Sequence, residues 1–294
     1  MHDCNPISTP LQVRSLEPHS DPYGTRRESE EKLSPFILYL SAIGSLLYLA
    51  NASRPDLSFA VSLLARHNQN PTQRHWNGVK HVLRYLKGTL DFGLFYRKQN
   101  FEIEGYADAG YLSDQEKGRS QGGYCFLTNG AAISWRSTKQ NLAATSSNHA
   151  EIIALHEATR EGFWLRRVLQ FIYGEMITET TPIPPSDQED QEDQDINSPI
   201  PPTIIREDNS ACIRQMYQGF IKGDRTKHIL PKYWWTHDLL GKDFTLVQVT
   251  SNENAADIFT KTLPGPAHIK LVELMGISSL TRLEGREETP RNSI

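Results

Sequence analysis

Four acidic residues, Asp108, Glu151, Asp208 and Asp257, sit in four separate segments of a 294-residue chain. The segments read Gly-Tyr-Ala-Asp (105–108), His-Ala-Glu-Ile-Ile-Ala-Leu (149–155), Glu-Asp-Asn-Ser-Ala (207–211) and Ala-Asp-Ile-Phe-Thr-Lys (256–261). Widely spaced carboxylates that converge in a fold are what metal-assisted hydrolysis of a phosphodiester needs. Two Mg²⁺ ions about 4 Å apart require hard oxygen ligands, and no contiguous stretch of chain can supply them all. Mn²⁺ shares the preference for oxygen and is the expected substitute. On residue type and spacing alone, this is a nuclease site.

Each acid has a competing structural reading. Asn148-x-x-Glu151 has the spacing of a capping box, and Asp208 before Asn209-Ser210 could cap a helix. Asn254-x-x-Asp257 has similar spacing, and Asp108 at a strand end could fix a turn. Jointly these readings weaken, because all four acids are expected at strand ends or first helical turns. In an α/β fold those positions gather at one edge of the sheet, where ligands bind.

The elements that must position them follow from pattern. Residues 1–34 are polar without periodicity and are expected to form a disordered leader. Residues 35–98 look helical. Ser53 and Asn70, each followed by a proline within two residues, mark two helix starts, and Gly88 closes the second helix. Trp76, Val79, Leu83 and Leu86 give that helix an apolar stripe; Lys80, Arg84 and Lys87 line another face, solvated or tracking phosphates. From about 99 the pattern turns to strands. One strand ends at Asp108, and a hairpin turns at Asn129-Gly130, both tolerant of positive φ. A helix spans about 148–173, and a Pro-rich, acidic insertion, disordered by composition, covers about 178–202. A strand over 203–206, helices on either side of a basic stretch (222–232), a strand over 244–249 and a helix over 254–262 complete the order. Three antiparallel strands, a helix, a strand, helices, a strand and a helix describe an α/β fold, a mixed sheet with helices on its faces. The last 279–294 form a tail.

Residues 41–274 resemble the C-terminal end of a copia-type LTR retrotransposon Pol polyprotein. Ile-Gly-Ser-Leu-Leu-Tyr-Leu-Ala-Asn-Ala-Ser-Arg-Pro-Asp and Leu-Arg-Tyr-Leu-Lys-Gly-Thr, within 43–98, look like the end of its reverse transcriptase, the helical thumb and connection. Ile-Ser-Trp-Arg-Ser-Thr-Lys-Gln (133–140), Trp-Leu-Arg-Arg (164–167), Asp-Asn-Ser-Ala (208–211), Arg-Thr-Lys-His-Ile (225–229) and Ala-Asp-Ile-Phe-Thr-Lys (256–261) match its ribonuclease H domain in order. The resemblance implies a ribonuclease H-like, five-stranded mixed sheet over 99–278. It makes Asp108, Glu151, Asp208 and Asp257 the metal-binding active site of an RNA–DNA hybrid ribonuclease. In that reading Asp108 bridges both ions, Glu151 and Asp208 complete one site, and Asp257 the other. Arg225, Lys227, His228 and Lys232, with Lys80, Arg84 and Lys87, hold the nucleic acid. Trp234 and Trp235 can stack on sugars or bases; the competing reading buries at least one ring.

The departures count too. The family has a second acid and a tryptophan after the first aspartate, where this chain has Gly110 and Tyr111; the neighbour of its glutamate is His149. No Asp-Asp pair exists, so the two-aspartate polymerase site is missing, and the rest of a reverse transcriptase would come from another chain. The competing functions are a decayed or domesticated nucleic-acid-binding remnant and an integrase-type transferase with three acids.

Composition sets outer limits. The net charge is −4, but 187–195 alone holds six acids, so the remainder carries about +2, compatible with a nucleic-acid partner. Three cysteines, Cys4, Cys125 and Cys212, without Cys-x-x-Cys spacing argue against a disulfide framework or a zinc site. With no apolar signal region, the expected location is cytoplasmic or nuclear, not secreted, with no membrane partner.

Overall fold

The computed structural model describes residues 4–17, 20–98, 102–114, 117–180, 201–219 and 227–283. The described residues up to 88 build a helical unit. Helix α1 (Tyr39–Ala52) and helix α2 (Ser58–Ala65) are joined by a 3₁₀ turn at Pro55–Leu57, and helix α3 (Gln73–Gly88) follows. Ile43, Leu46, Leu57, Leu63, Leu64, Val79 and Val82 form its core. The helix starts differ from the expected ones. Neither Ser53 nor Asn70 caps: α3 begins with a capping box in which Thr72 and His75 exchange bonds, and Pro71 simply precedes it.

The short segment before α2 carries a buried ion pair. Arg54 donates to both Asp56 oxygens at 3.0 and 2.7 Å and to Thr89 O and Oγ1, while Tyr85 Oη donates to Asp56. This network bolts the α1–α2 connection to the end of α3. Arg54→Met should therefore leave Asp56 charged, buried and unpaired. A loss of about 3–5 kcal/mol is expected in denaturant unfolding.

The leader is not disordered in its described residues. Leu11, Tyr23 and Leu33 bury their side chains against the helical unit. Arg74 of α3 donates to Glu30 at 2.7 Å and to the carbonyl oxygens of Asp21, Gly24 and Thr25. Composition missed this because three apolar anchors and one arginine suffice where the surface is already built. Arg74→Ala is expected to release residues 20–31 to limited proteolysis at least several-fold faster, with little change in the rest of the digest.

A two-stranded ribbon corrects the purely helical reading of 35–98. Strand β1 (Phe92–Leu94) lies in that region and pairs antiparallel with a distant strand described below. Next come β2 (Ile103–Asp114), β3 (Arg119–Thr128) and β4 (Ala131–Lys139). The β3–β4 turn falls at Asn129-Gly130, with φ of 52° and 78°, as that dipeptide predicts. Helix α4 (Ser147–Thr180) leads to β5 (Thr203–Glu207), α5 (Ser210–Gln218), α6 (Leu230–Leu239), β6 (Phe244–Gln248), a 3₁₀ turn at Ala255–Phe259, α7 (Gly265–Leu274), β7 (Ile277–Ser279) and α8 (Leu280–Leu283). The main sheet runs β4-β3-β2-β5-β6, and β1 pairs with β7 apart from it.

The sheet is mixed as expected: β2, β3 and β4 are antiparallel, while β5 is parallel to β2 and β6. One face packs α4, α5 and α6 over Phe126, Ile152, Leu155, Ile205, Tyr233 and Phe244. The other packs the 255–259 turn and α7 over Tyr106, Cys125, Leu127 and Phe259. The helical unit joins this second side, where Trp135 Nε1 donates to Ala50 O at 2.8 Å. The acidic insertion expected at 178–202 falls mostly on 181–200, outside the described residues, as do 284–294 of the expected tail. Among the described residues, no helix is long and apolar enough to cross a membrane.

Candidate metal centre

The strand register builds the site. In β2–β5, Tyr106 pairs with Arg206, and the same parallel register carried two residues further sets Asp108 beside Asp208. Asp108 is not at a strand end as expected. It sits within β2, which continues to Asp114 through an irregularity with Leu112 at φ 49°. Opposite Asp108 across the β2–β3 ladder is Gly123. A Cβ there would lie 2.5 Å from Phe259 Cβ, and one on Gly110 would lie 2.8 Å from Thr260 O. These two glycines let residues 256–260 press onto the sheet and bring Asp257 to Asp108. The acid expected at 110 by resemblance has no room here.

Helix capping does not explain the acids. Asn209, not Asp208, caps α5, accepting from the Ala211 and Cys212 amides. The α4 start is bonded by Ser146, whose Oγ accepts from His149 N at 3.2 Å, while Asn148 is engaged by Gln215. Asn254 accepts from Ala256 N and donates to Ala107 O at 2.8 Å, fastening the 3₁₀ turn beside β2. Glu151, Asp208 and Asp257 thus do not take the cap roles open to them in the sequence.

Their oxygens stand close enough together that they could hold metal ions. Asp108, Asp208 and Asp257 offer oxygens within 4.8 Å of one another, and so do Glu151, Glu207 and Asp208. Glu207 is the residue that sequence reasoning missed. The available signal was strand alternation: it lies two residues beyond the core-facing Ile205. Asp108, Glu151, Glu207 and Asp257 are all buried. Glu151 Oε2 and Glu207 Oε2 are buried without a hydrogen-bond partner. Hard, orphaned oxygens in excess of nearby cations fit divalent ions well. Thr260 Oγ1 donates to Asp108, and Ser251 Oγ to Asp208, orienting both.

The electrostatics agree. Burial pushes the Glu151 carboxyl well above its usual range, and the charges of Glu207, Asp108 and Asp208 add to it. Burial does the same for Glu207 and Asp108. Asp257 is pushed up to about 8, by burial first and then by Asp108. Lys261, a second residue not anticipated, pairs with Asp257 Oδ1 at 2.8 Å. Burial would lower its ammonium pKa, but Asp108 and Asp257 outweigh that and raise it.

The expected nucleic-acid contacts scatter. Arg84 Nε donates to Asn5 O at 2.7 Å and Lys87 Nζ to Cys4 O at 2.8 Å, so both hold the leader rather than a free phosphate track. Lys80, on the same helix, is half-buried. Lys232 pairs with Glu157 at 2.6 Å, His228 Nε2 meets Ala143 O at 2.9 Å, and Lys227 is exposed. Arg225 lies outside the described residues. Neither Trp234 nor Trp235 is buried, at 43% and 36% exposure; Tyr233 takes the core position instead.

No protein-family model matches the chain. Among curated proteins, the retrovirus-related Pol polyprotein from transposon TNT 1-94 of Nicotiana tabacum is 32% identical over 280 residues, covering 95% of this chain and 19% of that polyprotein. The Pol polyprotein from transposon RE2 of Arabidopsis thaliana is 37% identical over 171 residues, covering 58% of this chain and 11% of its own length. Secreted RxLR effector protein 161 of Plasmopara viticola is 46% identical over 128 residues, 43% of this chain and 90% of that protein. The chain thus spans a fifth or less of the two transposon relatives. Among solved structures, LC11-RNase H1 in complex with RNA/DNA hybrid is similar over 54% of this chain and 94% of its own, at 18% identity and a TM-score of 0.34. The five-stranded sheet with its flanking helices is the mixed α/β architecture that the sequence pattern predicts. Over 95% of its length the chain is thus homologous to copia-type, retrovirus-related Pol polyproteins of transposons.

Proposed function

We propose that this chain hydrolyses the RNA strand of RNA–DNA hybrids at the carboxylates around Asp208, with two divalent ions, Mg²⁺ first and Mn²⁺ as substitute. The observation that carries the reading is the meeting of Asp108, Asp208 and Asp257, from three different elements, with oxygens within 4.8 Å. When bound, such ions supply a nucleophilic water at neutral pH and charge stabilisation for the leaving 3′ oxygen. The chain's own part is to hold them. Asp108, Glu151, Asp208 and Asp257 provide hard oxygens on a sheet and helices that cannot shift far, and Thr260 and Ser251 fix two of the four.

Lys261 neutralises part of the cluster before ions arrive. Its fixed charge also favours an anionic backbone near the site. A hybrid would be recognised by groove shape and 2′-hydroxyls rather than by sequence.

The test is cleavage of a labelled RNA–DNA hybrid by the purified chain in Mg²⁺ and in Mn²⁺. Ion-dependent release of RNA fragments with the DNA strand intact is expected. Hybrid binding without cleavage in either ion would replace this reading with the binding-remnant one.

A further inference from the structure

We propose that a phosphate group binds in the cavity where the leader, the end of α2 and the end of β2 meet, held by the guanidinium groups of Arg14 and Arg66. No carboxylate of the metal centre takes part. The cavity measures about 60 Å³. One water-sized sphere needs about 10–15 Å³, so there is room for about four oxygen-sized atoms, the number in a phosphate.

Strand β2 supplies one wall. Its register breaks between Gly110 and Asp114, with Leu112 at φ 49°, and the end of the strand meets Arg14 and Arg66 there. Arg14 reaches in from the leader with a side chain only 7% exposed. Its Nη2 donates to Asp21 Oδ2 at 2.6 Å and to Ser113 O at 2.9 Å. Its Nε and Nη1 are buried without a hydrogen-bond partner among the described residues. Arg66, just past α2, repeats the pattern. Its Nη2 donates to Gln121 Oε1 and its Nη1 stands 3.8 Å from Asp114 Oδ2, while its Nε has no partner among the described residues. Ser113 Oγ is orphaned in the same way. Buried donors in this state are unfavourable until an oxygen reaches them. Four such atoms on three side chains suit a tetrahedral oxyanion better than a carboxylate, which has two oxygens.

Charge selects an anion too. Arg14, Arg66, Lys117 and Lys139 line the cavity against Asp21 and Asp114, a surplus of two positive charges. His67 adds none, because burial pushes it down to about 3. Burial draws the Arg66 guanidinium below its usual range; Asp114 opposes this and Arg14 adds to it. An anion shared by the two arginines relieves both effects.

Leu16, Thr25 and Lys117 on the lining are exposed, so the cavity opens to the surface. It also lies near the metal centre: Arg14 N donates to Thr262 Oγ1 at 3.0 Å, one residue beyond Lys261. The phosphate can therefore be free, or belong to a nucleic-acid backbone that also reaches the carboxylates. The second source rests on the hydrolase reading above; the site itself does not.

The experiment uses the full chain without divalent ions, so that no cleavage intervenes. Inorganic phosphate is titrated by calorimetry, and a labelled RNA–DNA hybrid by fluorescence anisotropy. The parent is expected to bind one phosphate, and Arg66→Gln to bind it at least about tenfold more weakly. The same change at Arg160, exposed on α4, should leave the affinity as it is. Hybrid separates the two sources. With a backbone phosphate in the site, Arg66→Gln weakens hybrid binding as well, lowers its salt slope by about one, and inorganic phosphate competes with hybrid. With free phosphate in the site, hybrid affinity is the same in parent and variant. Thermal unfolding of each variant checks the fold. Should Arg66→Gln not fold, Arg66→Lys keeps the charge with fewer donors and is expected to weaken phosphate at least about threefold. Equal phosphate affinity in parent and Arg66 variants would overturn the site and leave an adventitious ion only. So would a parent that binds no phosphate and whose hybrid affinity is unmoved by Arg66→Gln. A chain that binds phosphate through Arg66 yet cleaves no hybrid would uphold this site and defeat the hydrolase reading alone.

Discussion

The Asp208→Asn chain is expected to fold like the parent and to lose hybrid cleavage by more than about a hundredfold. Two observations separate these effects. Asn209 already caps α5, so the substitution removes no cap. Its amide oxygen can still accept from Ser251 Oγ, which now holds Asp208. What disappears is one negative charge in both three-carboxylate groups. Loss of partners that merely orient a metal ligand already costs about 10–100-fold, and loss of a direct ligand is expected to weigh more. Matched unfolding curves with no detectable product would satisfy the prediction. Cleavage within about threefold of the parent would remove Asp208 from the site.

The second large effect is on stability against pH in the absence of divalent ions. Burial, and then the charge of Asp108, push Asp257 up to about 8 in the folded chain, against about 3.9 unfolded. The folded state therefore holds this proton more tightly. Its stabilising contribution is complete below pH 4 and is lost as pH rises toward 8. Four units at 1.36 kcal/mol each put the loss at about 5 kcal/mol at most. Buried histidines act in the opposite sense. His67 is lowered to about 3, chiefly by burial, and His156 and His268 to about 4 for the same reason. They contribute fully above about pH 6.5 and lose that contribution as pH falls toward 4. The difference between parent and Asp257→Asn isolates the carboxylate. Without divalent ions the variant should melt higher than the parent by an amount that grows from near zero at pH 4 to the order of 10 °C at pH 8. Millimolar Mg²⁺ should restore most of the parent's deficit. A difference that stays flat with pH would reject the buried-carboxylate account.

How much of this was legible in the sequence depended on which force decided each element. Asn129-Gly130 fixes its turn locally, and the alternation around it made the hairpin readable. The order of strands and helices followed from periodicity for the same reason. The meeting of Asp108, Glu151, Asp208 and Asp257 could be expected from their motifs. The place of Glu207 among them could not, because it depends on which face of β5 lies under α4, a tertiary fact. Capping by Thr72 and Asn209 rather than Asn70 and Asp208 differs by a residue or two, below what pattern alone resolves. Packing of the leader depends on Arg74, one side chain reaching 44 residues back to Glu30. The β1–β7 ribbon escaped notice since each strand has only three residues.

That ribbon has a kinetic consequence. Its partners are far apart along the chain: Asp91 and Ser279, bonded beside it, are separated by 188 residues. Closing a loop of that length costs about 5 kcal/mol of chain entropy, against two turn residues for the β3–β4 hairpin. On a ribosome, residues 39–88 can collapse on local contacts long before β7 is synthesised. The ribbon then closes last, as a clasp drawn across a finished sheet. Refolding from denaturant should accordingly be biphasic, with the slower phase reporting β1–β7 and removed by deletion of residues 277–283.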